Sequence, residues 1–174
     1  MTKLGPTALA ASVGGPLALL GSAEVYHAVV KRIAARNFER VNEGNYEPLL
    51  ASCAPNIHHR FGGHHALGGE RHDKEALRRW FERLGQVAPD LTLAIRDIWV
   101  KGGPWNTYVI IRWDNHEQLP DGSPYSNHGV HVVQMKWFRI VDIDANEDSQ
   151  AVADSMPVRA AAGIEQALAP PIVS

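Results

Sequence analysis

A chain of 174 residues, of which 45% are hydrophobic and 21% charged, is long enough for one domain with a single core. The formal net charge is −2 and no run of Lys or Arg occurs, so nucleic acid is not an expected partner. Cys53 is the only cysteine, which excludes an intrachain disulfide and a cysteine-based zinc cluster, and favours a reducing, cytoplasmic setting.

The N-terminal segment, residues 1–21, combines one lysine, an apolar stretch and small residues. This outline resembles a signal peptide, but Gly14, Gly15 and Pro16 interrupt the apolar stretch. An arm that lies on the domain or on a second subunit is the favoured interpretation. No stretch reaches the roughly 20 apolar residues of a membrane span, so no membrane association is expected.

Three helices and a short strand are predicted in the first half. Ser22 is a suitable N-cap for a helix that ends near Gly44, and "NYEPLLASC" suits a second, short helix. "IHHRF" is typical of a brief strand. Asp73 suits the N-cap of a third helix, which stops before Pro89. Its apolar stripe comprises Leu77, Trp80, Phe81, Leu84 and Ala88.

From Leu91 onward the pattern alternates and predicts four long strands joined by turns. Ser149 is a candidate cap for a last short helix that Pro157 breaks, and residues 157–174 form an extended tail. The order of elements predicts an α+β domain with helices on one face of a curved sheet. Such a sheet leaves room for a small-molecule pocket.

The segments "RHDKEALRRWFERL", "VIIRWDNHEQLPDGSPYSNHGVHVV" and "IVDIDANEDSQ" resemble the nuclear transport factor 2-like superfamily, and within it the SnoaL-like proteins. The resemblance implies a cone-shaped, strongly curved mixed or antiparallel sheet wrapped on N-terminal helices, a cystatin-like fold, over residues 22–156. It also implies a homodimer. Related proteins include ketosteroid isomerase, polyketide cyclases, limonene-epoxide hydrolase and non-catalytic binding proteins, so the site has to decide the chemistry.

Five of the nine histidines lie in "HHRFGGHHALGGERH", residues 58–72. His58 and His59 are neighbours on a strand and point to opposite faces, and His64 and His65 follow a glycine pair. Because these spacings do not converge, we expect no metal site and a polar loop at the pocket mouth. His59 is expected to face inward, since it shares strand parity with Phe61.

A second candidate group lies in "IRWDNH". Arg112 and Asp114 are two residues apart on a strand and therefore share a face, together with Tyr108, Ile110 and His116. In limonene-epoxide hydrolase, by resemblance, an Arg-x-Asp pair joins a second aspartate on the last strand. Here Ala145 takes that place, and Asp144 would face inward only through a bulge. A structural ion pair is the alternative for Arg112 and Asp114.

On the next strand, Asn127, Gly129 and His131 share parity with Tyr125, and His131 is expected opposite the Arg112 strand. An imidazole beside a buried carboxylate can act as an acid or base near pH 7. A histidine satisfied by a neighbouring strand is the alternative.

The sequence thus favours a cofactor-independent enzyme that performs acid–base chemistry on an apolar small molecule. Isomerisation, cyclisation, dehydration and epoxide opening all stay open, as does a non-catalytic ligand-binding or protein-interaction module. The expected catalytic residues are Asp114, Arg112, His131 and His59. The expected substrate-binding residues are Tyr108, Phe61, Asn127, Asp144, His116 and Trp80.

Overall fold

The computed structural model describes the backbone of residues 15–174 and the side chains of residues 22–174, so the proposed arm lies mostly outside the described residues. The helices are α1 (Gly15–Asn42), α2 (Glu47–Ser52), α3 (Lys74–Val87) and α4 (Ser149–Ala161), followed by a 3-10 helix (Glu165–Leu168). The strands are β1 (Cys53–Phe61), β2 (Gly69–Arg71), β3 (Ala94–Gly103), β4 (Asn106–Gln118), β5 (Pro124–Lys136) and β6 (Arg139–Glu147).

The six strands form one mixed sheet in the order β2-β1-β6-β5-β4-β3. The strands β3 to β6 form an antiparallel meander, and β1 pairs in parallel with β6. The short strand β2 closes the other edge by antiparallel pairing with β1. Helices α1 and α3 pack on the inner face of this sheet, so the α+β prediction is confirmed.

Helix α3 has the N-cap and the buried apolar stripe that its sequence predicts. The Asp73 carboxylate accepts a hydrogen bond from the Ala76 amide at 2.7 Å, which satisfies one free N–H of the first turn. The predicted stripe is buried along its whole length, with Leu77 fully inaccessible to solvent. Burial of such side chains stabilises the fold by about 1.5–3 kcal/mol each.

Three predicted helix ends, one in α1 and two in α4, are wrong. Ser22 lies inside α1, which begins at Gly15 and crosses the expected domain boundary at residue 22. In α4 the N-cap is Asp148, whose carboxylate accepts from the Ala151 amide at 3.1 Å, and Pro157 sits within the helix without ending it. The tail is also less extended than expected, since it contains the 3-10 helix.

The β5–β6 hairpin turns through Trp137 and Phe138, whose φ angles are +51° and +65°. Both residues occupy the left-handed region, which bulky side chains rarely adopt. Phe138 packs edge-on against Tyr26 of α1, with ring centroids 5.9 Å apart. The turn therefore ties the sheet to the first helix.

The burial pattern of strand β4 shows which face of the sheet packs against the core. Its buried positions are Thr107, Val109, Ile111, Trp113 and Asn115, which alternate with exposed or half-buried ones. The inner face of β4 therefore carries its odd-numbered residues. In the described part of the chain no helix is long and apolar enough to cross a membrane.

Candidate functional site

A cavity of about 340 Å³ lies between the inner face of the sheet and the helices. All four helices and the strands β1, β4, β5 and β6 contribute to its wall. Most of the wall is apolar, from residues such as Phe38, Phe61, Trp80, Ile111 and Trp113. Its polar side chains are Asn37, Ser52, His59, Asn115, Glu117, Tyr125, Asn127, His131, Glu147, Ser155 and Arg159.

Half of the expected site residues line this cavity. His59 and Phe61 face inward from β1, as their parity predicts. Trp80 contributes from α3, and its ring meets that of His59 edge-on, with centroids 4.5 Å apart. Asn127 and His131 line it from β5.

The placement expected for Asp114 and Arg112 is wrong. Both lie on the outer face, because the inner face of β4 carries the odd-numbered residues. Asp114 accepts a hydrogen bond from Arg96 at 2.6 Å, and Arg112 lies 3.8 Å from Asp97. They form two separate surface ion pairs, neither of which touches the cavity.

Tyr108 and His116 share that parity and are exposed as well; His116 lies 2.9 Å from the Ser126 hydroxyl. Asp144 also faces outward, where it accepts a hydrogen bond from Arg60 at 2.6 Å. Its neighbour Ala145 takes the inward position, because the regular ladder with β5 continues through this part of β6. The expected cavity contacts of these three residues are therefore corrected.

Sequence reasoning missed Glu147, the last residue of β6. It shares parity with Ala145 and lines the cavity, with its carboxylate against Gly62. Burial raises the pKa of the Glu147 carboxyl to about 7, although a hydrogen bond from Ser149 at 3.0 Å acts in the opposite direction. Its second oxygen, Oε2, is buried without a hydrogen-bond partner among the described residues.

His131 lies between two aromatic rings, with Phe38 and Trp113 each 5.5 Å away between centroids. Burial lowers the pKa of His131 to about 4, so the imidazole is neutral at pH 7. Its Nε2 is buried, and nothing in the described chain hydrogen-bonds to it. In the β5–β6 register His131 pairs with Ala145, so Glu147 is its diagonal neighbour.

The neighbouring imidazole of His59 is also neutral. Burial, followed by the charge of Arg71, holds the pKa of His59 well below its ordinary value. Its Nδ1 is buried and unpaired within the described residues. The cavity therefore holds two neutral imidazoles and one carboxyl that ionises near neutral pH.

A second charged group of the wall is Arg159 of α4, which forms a buried ion pair with Glu117 of β4. The guanidinium also donates to the Val87 carbonyl at 2.9 Å and lies over the ring of Tyr125, 5.6 Å from its centroid. Glu117 Oε2 has no hydrogen-bond partner in the described region. Strand parity was the signal that could have found Glu117, since Trp113 and Asn115 precede it on the same face.

Asn127 has a structural role beside its place in the wall. Its amide oxygen accepts from the His128 amide at 2.7 Å and from the Asp148 amide at 3.0 Å. Its amide nitrogen donates to the Tyr125 hydroxyl at 2.8 Å. With both ends of the amide engaged, Asn127 fixes the start of α4 relative to β5.

The histidine-rich segment divides between the two faces of the sheet. His65 is buried and accepts a hydrogen bond from the Leu67 amide at 3.3 Å, whereas His64 is exposed. His58 faces outward, opposite in direction to His59, and contacts Asp142. Within this segment, His59, Phe61 and Leu67 line the cavity.

Comparisons with known proteins bear on both the fold and the family. A family model described as a SnoaL-like domain matches residues 34–143. A search of curated proteins gave no match. Among solved structures, an NTF2-like protein from Burkholderia pseudomallei K96243 is 15% identical with a TM-score of 0.58, covering 72% of this chain and 95% of that one.

Two further structures share the fold. A protein called a SnoaL-like polyketide cyclase, from Jannaschia sp. CCS1, is 14% identical with a TM-score of 0.59, covering 75% of this chain and 92% of that one. TerC, co-crystallised with polyporic acid, is 16% identical with a TM-score of 0.57, covering 72% and 95%. These likenesses confirm the NTF2-like fold that the sequence predicted.

Proposed function

Since the chain belongs to the SnoaL-like family, we propose that it is a cofactor-independent enzyme that performs acid–base chemistry on an apolar small molecule in its cavity. One observation carries the proposal. Glu147 and His131 are diagonal neighbours on the cavity wall, and each presents a buried polar atom that lacks a partner in the described chain. A substrate with a matching polar group would satisfy both.

Glu147 has the properties of a general base. A carboxyl whose pKa is about 7 is partly ionised at neutral pH and accepts a proton more readily than an ordinary glutamate. The proposed step is removal of a proton from a carbon beside a substrate carbonyl. The electron pair of the broken C–H bond then moves to the carbonyl oxygen and forms an enolate.

His131 has the properties of a neutral hydrogen-bond donor to that oxygen. Because its pKa is about 4, the imidazole keeps one N–H and carries no charge at pH 7. A donor held in a dry wall stabilises developing negative charge more than it would in water. For isomerisation, Glu147 returns its proton at a second carbon; for cyclisation, the enolate carbon attacks an electrophilic carbonyl, whose oxygen takes the proton.

The remaining wall supports an apolar, ring-containing substrate. Phe61, Trp80 and Trp113 offer aromatic faces, and His59 offers a second neutral imidazole. Epoxide opening is less well supported, because Arg159 pairs with one carboxylate, Glu117, and does not bridge two. We therefore favour isomerisation or cyclisation of an enone or polyketide-like compound over epoxide opening.

The test is solvent deuterium exchange into candidate carbon acids. A panel of apolar enones and 1,3-dicarbonyl compounds is incubated with the protein in D₂O, and deuterium incorporation is followed by proton NMR. Glu147→Gln should slow exchange by about 10²- to 10⁴-fold, the usual contribution of a general acid–base group. Asp97→Asn, which changes an exposed outer-face carboxylate, is the matched control and should exchange at the wild-type rate.

Full exchange by folded Glu147→Gln protein would contradict the role of Glu147. Compounds that bind in the cavity without any exchange in the wild type would favour the non-catalytic ligand-binding alternative.

The proposal also includes a homodimer in a reducing cytoplasm. It rests on exposed aromatic residues of the outer sheet face, such as Trp99, and on the single cysteine.

A further inference from the structure

A second cluster of chemically active side chains lies on the outer face of the sheet, behind the cavity. His58, Glu70 and His72 each offer one ligand atom, and these atoms lie within 4.8 Å of one another. His58 Nε2 is 3.4 Å from Glu70 Oε2, which in turn is 3.9 Å from His72 Nε2. The two imidazole rings are nearly parallel, with centroids 4.8 Å apart.

Strand pairing brings these residues together. In the β1–β2 ladder His59 pairs with Arg71 and Arg60 with Glu70, so the next position along sets His72 opposite His58. Glu70 is then the diagonal neighbour of His58 on the same face. The sequence spacing predicts no metal site here, because His58 and His72 are separated by the whole glycine-rich loop, and the pairing of β1 with β2 reverses that expectation.

A second carboxylate orients His58. In the β1–β6 ladder His58 pairs with Asp142, and the distance between His58 Nδ1 and Asp142 Oδ1 is 2.5 Å. An Nδ1–H that donates to a carboxylate leaves the lone pair on Nε2, which points at Glu70. Metal-binding histidines are commonly held in this way, through their other ring nitrogen.

We propose that His58, Glu70 and His72 form a site for a divalent transition-metal ion such as Zn²⁺, with Asp142 holding His58 in the binding tautomer. Two imidazoles and one carboxylate are ligands that suit Zn²⁺. Tetrahedral ligands at ordinary zinc distances lie roughly 3.3 Å apart. The His58–Glu70 separation of 3.4 Å already fits, and His72 would close the remaining gap by a small side-chain rotation.

The ion would join the two strands at this edge of the sheet. β2 is only three residues long and pairs with β1 alone. A metal held by His58 of β1, by Glu70 in the middle of β2 and by His72 just after it would fasten that edge and restrain the loop between Phe61 and Gly69. This role is independent of the chemistry proposed for the cavity on the opposite face.

The experiment is a titration of the full chain, stripped with chelator and free of any affinity tag, with ZnCl₂ by calorimetry. We expect one saturable site, and a rise in Tm with Zn²⁺ because the ion binds the folded site more tightly than the histidines of the unfolded chain. His72→Ala and Glu70→Gln should each weaken binding at least tenfold. Asp142→Asn should weaken it by about 10- to 100-fold, as removal of such an orienting carboxylate generally does.

The matched control is His64→Ala, which removes an exposed histidine of the same segment and should bind as the wild type does. Circular dichroism checks that each variant is folded. We expect the variants at residues 70 and 72 to fold, because both side chains are exposed. Absence of saturable binding to the wild type below millimolar Zn²⁺ would overturn the site. Equal losses in His64→Ala and His72→Ala would overturn its location.

Discussion

The unpartnered polar atoms of the cavity impose a cost on the folded protein. A buried donor or acceptor without a partner costs about 1–3 kcal/mol. Glu147 Oε2, His131 Nε2 and His59 Nδ1 are all in this state within the described residues. A protein keeps such atoms where they serve a purpose, and a bound molecule that pairs with them would recover part of the cost.

The ionisation of Glu147 gives a prediction for stability. Its pKa is about 7 in the folded protein against 4.5 for the free side chain, so between these values the folded state holds the proton more tightly. The contribution of this group to the free energy of unfolding is therefore fully present below pH 4.5 and is lost as pH rises through 7. Glu147→Gln cannot ionise and does not lose this contribution. Between pH 4.5 and pH 8 its free energy of unfolding should therefore rise relative to that of the wild type by about 1–3 kcal/mol, after allowance for partial exposure.

Urea unfolding of both proteins at pH 4.5 and pH 8 measures that difference. Subtraction of the wild-type free energy from that of Glu147→Gln cancels the contributions of His59 and His131, which titrate in both proteins. A difference that stays constant with pH would show that the Glu147 carboxyl ionises normally.

The sequence identified residues of β1 and β5 on the correct face but reversed β4. Strand parity with Phe61, an apolar residue expected to face the core, predicts the inward direction of His59. On β4 both parities carry large apolar residues, Ile110 on one and Trp113 on the other. Alternation alone cannot choose between such faces, since the choice depends on the helices that cover the sheet.

At the scale of elements, α4 depends on a buried ion pair. Arg159 and Glu117 are both nearly inaccessible, and their pairing joins α4 to the end of β4. Pro157 lies within the same helix, although it has no N–H for the helix ladder. The sequence pattern predicts that the helix ends at Pro157. It continues because the following turn makes tertiary contacts, such as those of Arg159, that a local pattern does not contain.

Removing one partner of this pair should be more harmful than removing both. Arg159→Met leaves Glu117 buried and uncompensated, and should lower the free energy of unfolding by about 3–5 kcal/mol. Adding Glu117→Gln removes that charge and should restore much of the loss. Chemical denaturation of the two single variants and the double variant completes the cycle, and equal stability of Arg159→Met and wild type would contradict the buried pair.

For the whole molecule, the outer sheet face combines ion pairs with an exposed apolar row. Trp99 is 48% exposed and Tyr108 is 38% exposed, with Ile110 and Val132 beside them in register. The fold was predictable because its periodicities and turns are local properties. The partner that covers this face was not predictable in the same way. Alternation of apolar and polar residues describes one chain, and contacts with a second chain leave no local pattern in it.

We predict that this face joins two copies of the chain. Light scattering at micromolar concentration should give the mass of a dimer, and Trp99→Glu should shift it to the monomer by placing a charge in the contact. Trp137→Glu alters a tryptophan in the β5–β6 turn that is more exposed, at 69%, and should remain dimeric. A wild-type monomer, or dissociation by both substitutions, would contradict an interface at this face.

The β5–β6 turn has a consequence for how this chain can change over evolution. A two-residue turn with positive φ at both positions is best served by Asn and Gly, which adopt that backbone at little cost. Here Phe138 lines the cavity and also holds Tyr26 of α1. A change to Asn-Gly would relax the backbone while removing one aromatic side chain from the cavity wall. Stability and ligand selection therefore depend on the same turn. A lineage that gains stability by relaxing this backbone would also change the shape of the cavity and the ligands it accepts.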